Sequence, residues 1–342
     1  PSSAVTRAAV TRCTSARTDE IVAADRDGSA AAVAWPLARH RRMAGSLPVT
    51  MSADGVEPHA EVVAEVVRSG LVESRHHGSV VALDADGVAV LTVGDTGTPM
   101  YPRSSNKPGQ AAAMVRHGLP LDGELLALAA ASHSGEDFHL RGTRRILASA
   151  GLDESLLRNT PGWPLDEIAM VAYARQGRDR ASLAADCSGK HAAMLVTCTV
   201  NRWSTDDYLL PDHPLQQAIR GTIAELAGES VAHVGVDGCG APLFALTLTG
   251  VARMYRSLAL GAPGSAERRV VEAIQEHPQW TSGTTRHEAR LIRSVPGLFA
   301  KAARHRALSV NGGAHAVVVF GRERLEFGDG CARIFGAWKS CV

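Results

Sequence analysis

Beyond residue 50 the chain resolves into segments whose apolar positions follow recognisable periods. Ser79–Asp84 and Val88–Gly94 are short, apolar, β-branched runs on either side of an Asp86-Gly87 turn, which predicts a β-hairpin. Just before them, Glu61–Ser69 reads as a short helix. A long series with helical spacing follows: Pro108–His117, Gly123–Ala131, His139–Ala150, Asp166–Arg175, Cys187–Val200 and His213–Ala227. Further helices are expected across Pro242–Leu260 and Ala266–His277, and Ala314–Phe320 is again a plain apolar run. A hairpin, a large helical block and late apolar runs together predict an α+β fold. There is no internal repeat and no G-x-x-x-x-G-K-[ST] phosphate loop.

The two ends read differently. Residues 1–50 are rich in Ala, Arg, Ser and Thr without sustained periodicity, so they are expected to be a disordered or non-native N-terminal extension. Asp19, Glu20, Asp25 and Asp27 argue against a targeting peptide, and Met51 is a plausible start of the domain proper. The orderly region, 51–301, is the expected catalytic domain. Residues 302–342, with Cys331 and Cys341, form a divergent C-terminal segment that a change of reading frame after Lys301 would explain.

Composition narrows the class. The 342 residues carry a net charge of +1, with 45% hydrophobic and 21% charged residues, an ordinary globular balance. Near-zero charge argues against a nucleic-acid partner held by phosphate neutralisation. No apolar run approaches the roughly 18 residues that span a bilayer, so no membrane partner is expected. Six scattered cysteines (13, 187, 198, 239, 331 and 341) do not form a disulfide framework; a reducing, cytoplasmic setting is expected.

Only four of the 36 basic residues are lysines: Lys107, Lys190, Lys301 and Lys339. Where arginine serves for ordinary positive charge, a retained lysine points to an amine that can lose its proton. Three of the four lie in short motifs. Ser104-Ser-Asn-Lys107-Pro108 opens a helix, since proline is tolerated in the first turn, and places a serine three residues before an amine on one face. A neutral lysine there can activate a serine hydroxyl, although Ser-x-x-Lys alone is also an ordinary surface helix start. Ser132-His-Ser-Gly135-Glu136 follows an apolar helix and has two readings, a second active serine or a polar helix terminus. Asp186-Cys187-Ser-Gly-Lys190-His191 puts a cysteine at a helix N-terminus with Lys190 and His191 on its face. Asp237-Gly-Cys239-Gly exposes a second cysteine in a tight turn. Two thiolates beside nitrogen donors suit zinc, while the absence of paired C-x-x-C leaves structural cysteines as the alternative. Pro296-Gly-Leu-Phe-Ala-Lys301 adds a lysine after an apolar bend.

In this order, and with Val72-Glu73-Ser74 before the hairpin, these segments resemble the class 3 (rhizobial-type, asparaginase II family) L-asparaginases over residues 56–301. That family is similar in fold to serine β-lactamases and glutaminases, which implies an antiparallel sheet with a large helical subdomain. The resemblance implies hydrolysis of L-asparagine to L-aspartate and ammonia. It implies Ser104 with Lys107 and Ser132 with Lys301 as catalytic pairs, Ser104 being the first choice of nucleophile. It further implies Cys187, Lys190 and Cys239 as ligands of a zinc ion, Arg103, Asp237 and His191 as supporting groups, and a homodimer.

After Lys301 the family pattern, a Gly-Ala-Glu-Gly segment and an apolar strand pair, is replaced by Ala302-Ala-Arg-His-Arg306. The expectation is a sheet left with an open edge and a weakly held Lys301. Two other functions stay open: a related serine–lysine amidase acting on glutamine or a β-lactam, and a non-catalytic zinc-binding remnant.

Overall fold

The computed structural model describes residues 61–303 and, as backbone only, three further strands. These are Arg12–Thr14 (β1), Ala307–Gly312 and His315–Gly321. The expected N-terminal extension, Met51, Cys331, Lys339 and Cys341 lie outside the described residues.

The chain makes an α+β fold, as its patterning predicts. Glu61–Arg68 (β2), Leu71–Leu83 (β3) and Ala89–Val93 (β4) begin the sheet. A helical block follows, formed by Lys107–Arg116 (α1), Gly123–Ala129 (α2), Asp137–Ala148 (α3), Glu167–Arg175 (α4), Ser188–Asn201 (α5) and Pro214–Ala227 (α6). A small hairpin, His233–Val236 (β5) and Pro242–Ala245 (β6), leads into Leu248–Ala259 (α7), Ala266–Glu276 (α8), Pro278–Thr281 (α9) and His287–Ser294 (α10). Leu298–Ala303 (β7), 307–312 (β8) and 315–321 (β9) return to the sheet. Its order is β1-β2-β3-β9-β8-β7, with β4 also on β3, and every pair is antiparallel except β1 with β2.

Three expectations are corrected. Glu61–Arg68 is a strand and not a helix: its paired valines are stiff at χ1 and pair along β3 from Glu61↔Gly78 to Arg68↔Leu71. Pro242–Leu260 is not helical throughout, because β6 pairs with β5 and the helix begins only after Thr247, whose hydroxyl caps Gly250 N at 2.8 Å. The stretch after Lys301 does not leave the sheet open there: β8 bridges β7 to β9, and β9 lies along β3.

The core runs through the helices. Ala111–Val115 on α1 and Ala192–Val196 on α5 are buried without interruption, so these helices are covered on all sides and not amphipathic. Their small side chains allow close approach, and Gly189 abuts Leu128 so tightly that any side chain there would collide with it. Sheet and helices meet at Tyr255 on α7, which stacks on Phe299 of β7 at 5.1 Å and donates to Ser105 O at 2.8 Å. One aromatic contact thus ties β7 to the turn before α1. Among the described residues no helix is long and apolar enough to cross a membrane.

Candidate active site

A 3-10 turn, Arg103–Asn106, delivers Lys107 as the first residue of α1, with Pro108 behind it. Arg103 takes a left-handed φ of +51°, uncommon for a residue with a Cβ. Its guanidinium Nε lies 2.7 Å from Asp237 Oδ1, an ion pair that joins this turn to the β5–β6 loop.

Lys107 is buried, and its amine donates to Ala131 O and Ser132 Oγ, both at 2.8 Å, with Asp186 Oδ2 at 3.8 Å. The lysine bond expected for Ser104 is therefore made to Ser132, 25 residues along the chain. Ser104 stays half-buried on the preceding turn. Ser132 sits in the loop after α2, where its backbone N donates to Thr281 O at 3.1 Å and Gly135 turns the chain at φ +82°. A Cβ at Gly135 would strike Pro164, so only glycine fits this close turn.

Lys301 is fully buried on β7, which packs on the 103–106 turn. Its amine donates to Ala302 O at 2.9 Å, and no bond to Ser132 accompanies it. Burial pushes the amine down to about 7; Glu288 pulls upward, while Lys107 and Arg286 push further down. Near neutrality this lysine is a partly unprotonated amine, the property that arginine cannot supply. Glu288 is itself buried, on α10, with Oε1 free of hydrogen bonds.

The second centre lies at the start of α5. Cys187, His191 and Cys239 offer ligand atoms that all lie within 4.8 Å of one another. The helical spacing sets Cys187 and His191 on one face, and the Asp237–Gly240 turn brings Cys239 across. Lys190 Nζ, also buried, donates to Cys239 Sγ at 3.4 Å. The Cys187 thiol and then the Lys190 charge hold Cys239 well below the ordinary thiol range, against the effect of burial. Cys187 is pushed correspondingly up by its bond to Cys239 and by burial. Burial works against a charged Lys190, but the two sulfurs outweigh it and raise its pKa.

His191 is pushed down to about 4 by burial, and is therefore neutral. Its Nδ1 bonds Tyr208 OH at 3.0 Å, and its Nε2 is buried without a hydrogen-bond partner. A neutral imidazole oriented through one nitrogen and free at the other is the form in which histidine ligates metal. Two sulfurs, that nitrogen and a neighbouring amine form a donor set that fits a zinc-like dication. His191, expected as a supporting group, thus joins the cluster, and Lys190 lies against Cys239.

Asp186, Glu288, Arg286 and Tyr208 were not singled out by sequence. Asp186 was visible as the residue before Cys187. The others come from loop or helix positions with no local signature.

A family model described as L-asparaginase II matches residues 64–328, a span that includes every site residue above and continues past Lys301. Among solved structures the chain is similar to Mglu in its glutamate form, at 13% identity and a TM-score of 0.43, covering 77% of this chain and 60% of that one. It is similar to a β-lactamase from Mycobacterium bovis, at 14% identity and a TM-score of 0.41, covering 78% and 93%. It is also similar to a Bacillus subtilis glutaminase in covalent complex with 5-oxo-L-norleucine, at 13% identity and a TM-score of 0.31, covering 72% and 80%. The chain spans about 60% of the length of the Mglu structures that it matches first. No individually curated protein matches it.

Proposed function

The chain belongs to the L-asparaginase II family, and we propose that it is an amidohydrolase that cleaves L-asparagine to L-aspartate and ammonia. The observation that carries the reading is the 2.8 Å bond between Lys107 Nζ and Ser132 Oγ inside a buried site. Ser132 Oγ attacks the side-chain amide carbon while the Lys107 amine takes the hydroxyl proton. The C–N bond then breaks, and Lys107 returns the proton to the departing nitrogen, which leaves as ammonia. Water attacks the resulting ester and gives its proton to Lys107, which passes it to Ser132 Oγ as the C–O bond breaks and aspartate leaves.

Lys301, close to Lys107 and pushed down to about 7 by burial, is a second amine in the site that can take up and release a proton during turnover. The half-buried Ser104 supports a second reading, in which it is the nucleophile from the rim and Ser132 relays the proton. Cys187, His191 and Cys239, with Lys190 beside them, are the residues that would hold a zinc ion. Such an ion supplies a fixed positive charge to orient an amino acid's carboxylate.

The test is ammonia release from L-asparagine and L-glutamine, with and without added zinc. Release from asparagine well above glutamine is expected. Preferential turnover of glutamine would move the substrate, and silence on both by folded, zinc-loaded protein would overturn the reading.

A further inference from the structure

The serine–lysine pair and the thiol–imidazole cluster are carried by different segments, and one buried side chain spans them. His133 follows Ser132 directly and is completely buried. Its backbone N donates to Asp186 O at 2.9 Å, and its Nε2 lies 2.9 Å from the hydroxyl of Ser188. Ser188 directly follows Cys187, opens α5, and is bonded in turn to Thr143 Oγ1 of α3 at 3.1 Å.

The hydrogen-bond inventory assigns the proton. His133 Nδ1 is buried without a partner, so a proton there would be an orphaned donor. With the proton on Nε2, His133 donates to Ser188 Oγ, and Ser188 and Thr143 share a further bond in which either hydroxyl can donate. The ring stacks on His139 at 5.0 Å, and His139 Nε2 is anchored 3.0 Å from Gln279 O. The His139 side of this connection is therefore fixed, and neither ring carries charge, being desolvated by burial.

We propose that His133 is a positioning residue that locks the Ser132 loop to the N-terminus of α5 through Ser188, so that the serine–lysine pair and the Cys187–His191–Cys239 cluster move as one unit. Residues one step from the reacting hydroxyl and one step from a sulfur ligand share a buried side-chain hydrogen bond, which reinforces the backbone bond from His133 N to Asp186 O. Loosening it displaces both. The activity arm of this inference rests on the amide-hydrolase reading; the metal arm does not.

The test uses the full chain with His133→Leu, His133→Gln, Ser188→Ala and the double variant His133→Leu/Ser188→Ala. Zinc affinity is measured by competition with a chromogenic chelator, kcat and KM by ammonia release, and folding by near-ultraviolet circular dichroism. His133→Leu is expected to weaken zinc about 10-fold and to lower kcat by a similar factor with KM little changed, the size seen when a residue supporting a ligand is lost. His133→Gln, whose amide N–H reaches the place of Nε2, restores both. The double variant loses less than the product of the two single losses, because both substitutions remove the same His133–Ser188 bond and only the Ser188–Thr143 bond is separate.

A folded His133→Leu with wild-type zinc affinity and kcat overturns the proposal, as do losses in the two single variants that multiply. If His133→Leu does not fold, Ser188→Ala decides: reduced zinc affinity supports the coupling, and unchanged affinity with unchanged kcat ends it. A wild type that binds zinc but releases no ammonia defeats the hydrolase reading, while the zinc measurements still judge the lock.

Discussion

Lys301 should make the protein less stable than it would be without it. The amine is fully buried and its pKa falls from an ordinary 10.5 to about 7. Between those values the unfolded chain holds a proton that the folded one has released, so folding is penalised more as pH falls from 10.5 toward 7, and fully below 7. At 1.36 kcal/mol per unit, linkage gives a cost of roughly 4 kcal/mol at pH 7, shrinking by roughly 3 kcal/mol on going to pH 9.5. Lys301→Met keeps the length and apolar stem of the side chain and removes the amine. It should raise the urea midpoint at pH 7, and the gap between variant and wild type should close as pH rises to 9.5. Catalysis should fall steeply in the same variant, a stability gain made at the expense of activity. A variant that is less stable at pH 7, or a gap that does not change with pH, would refute the reasoning.

Other expectations follow from the same geometry. Ser132→Ala should lower asparagine turnover by about 10³-fold or more, whereas Ser104→Ala should retain a larger share of activity; initial-rate ammonia assays in parallel decide it. Cys239→Ser should weaken zinc binding in chelator competition, and Tyr208→Phe, which removes the bond to His191 Nδ1, should weaken it by about 10-fold. His139, held down to about 4 by burial, remains neutral in the fold while the unfolded chain takes up a proton below about 6.5. The stability it supports is present at pH 7 and is lost as pH falls from 6.5 through 4, so the melting temperature should drop across that window and drop less in His139→Gln.

Much of the architecture was legible because its periods are strong. The hairpin and the helices α1 to α6 announce themselves through apolar spacing, and Pro108 marks the first turn of α1. Glu61–Arg68 was not legible, because its valine pairs satisfy neither period cleanly and the strand exists by virtue of its partner β3. β7 was hidden for the opposite reason: Leu298–Lys301 is buried on both faces and shows no alternation.

In the site, the scarcity of lysine was the most informative signal. Lys107, Lys190 and Lys301 are all buried at 2% exposure or less. What spacing could not supply was pairing across the chain. Lys107 meets Ser132 because α1 lies beside the end of α2, and the i+3 relation to Ser104 carried no information about that contact. His191 joins the cluster through the same helical face as Cys187, a relation visible in the sequence, while Tyr208, which orients it, left no trace there.

The central claim is that Ser132, held by Lys107, is the hydroxyl that attacks the amide. The most direct measurement is covalent capture of wild-type protein with a diazoketone analogue of asparagine, followed by peptide mass mapping of the adduct. The account predicts one equivalent of label on Ser132, lost in Lys107→Met and competed away by L-asparagine. Label on Ser104 would give the nucleophile's role to the rim serine, and an unlabelled protein that nonetheless binds zinc would contradict the account altogether.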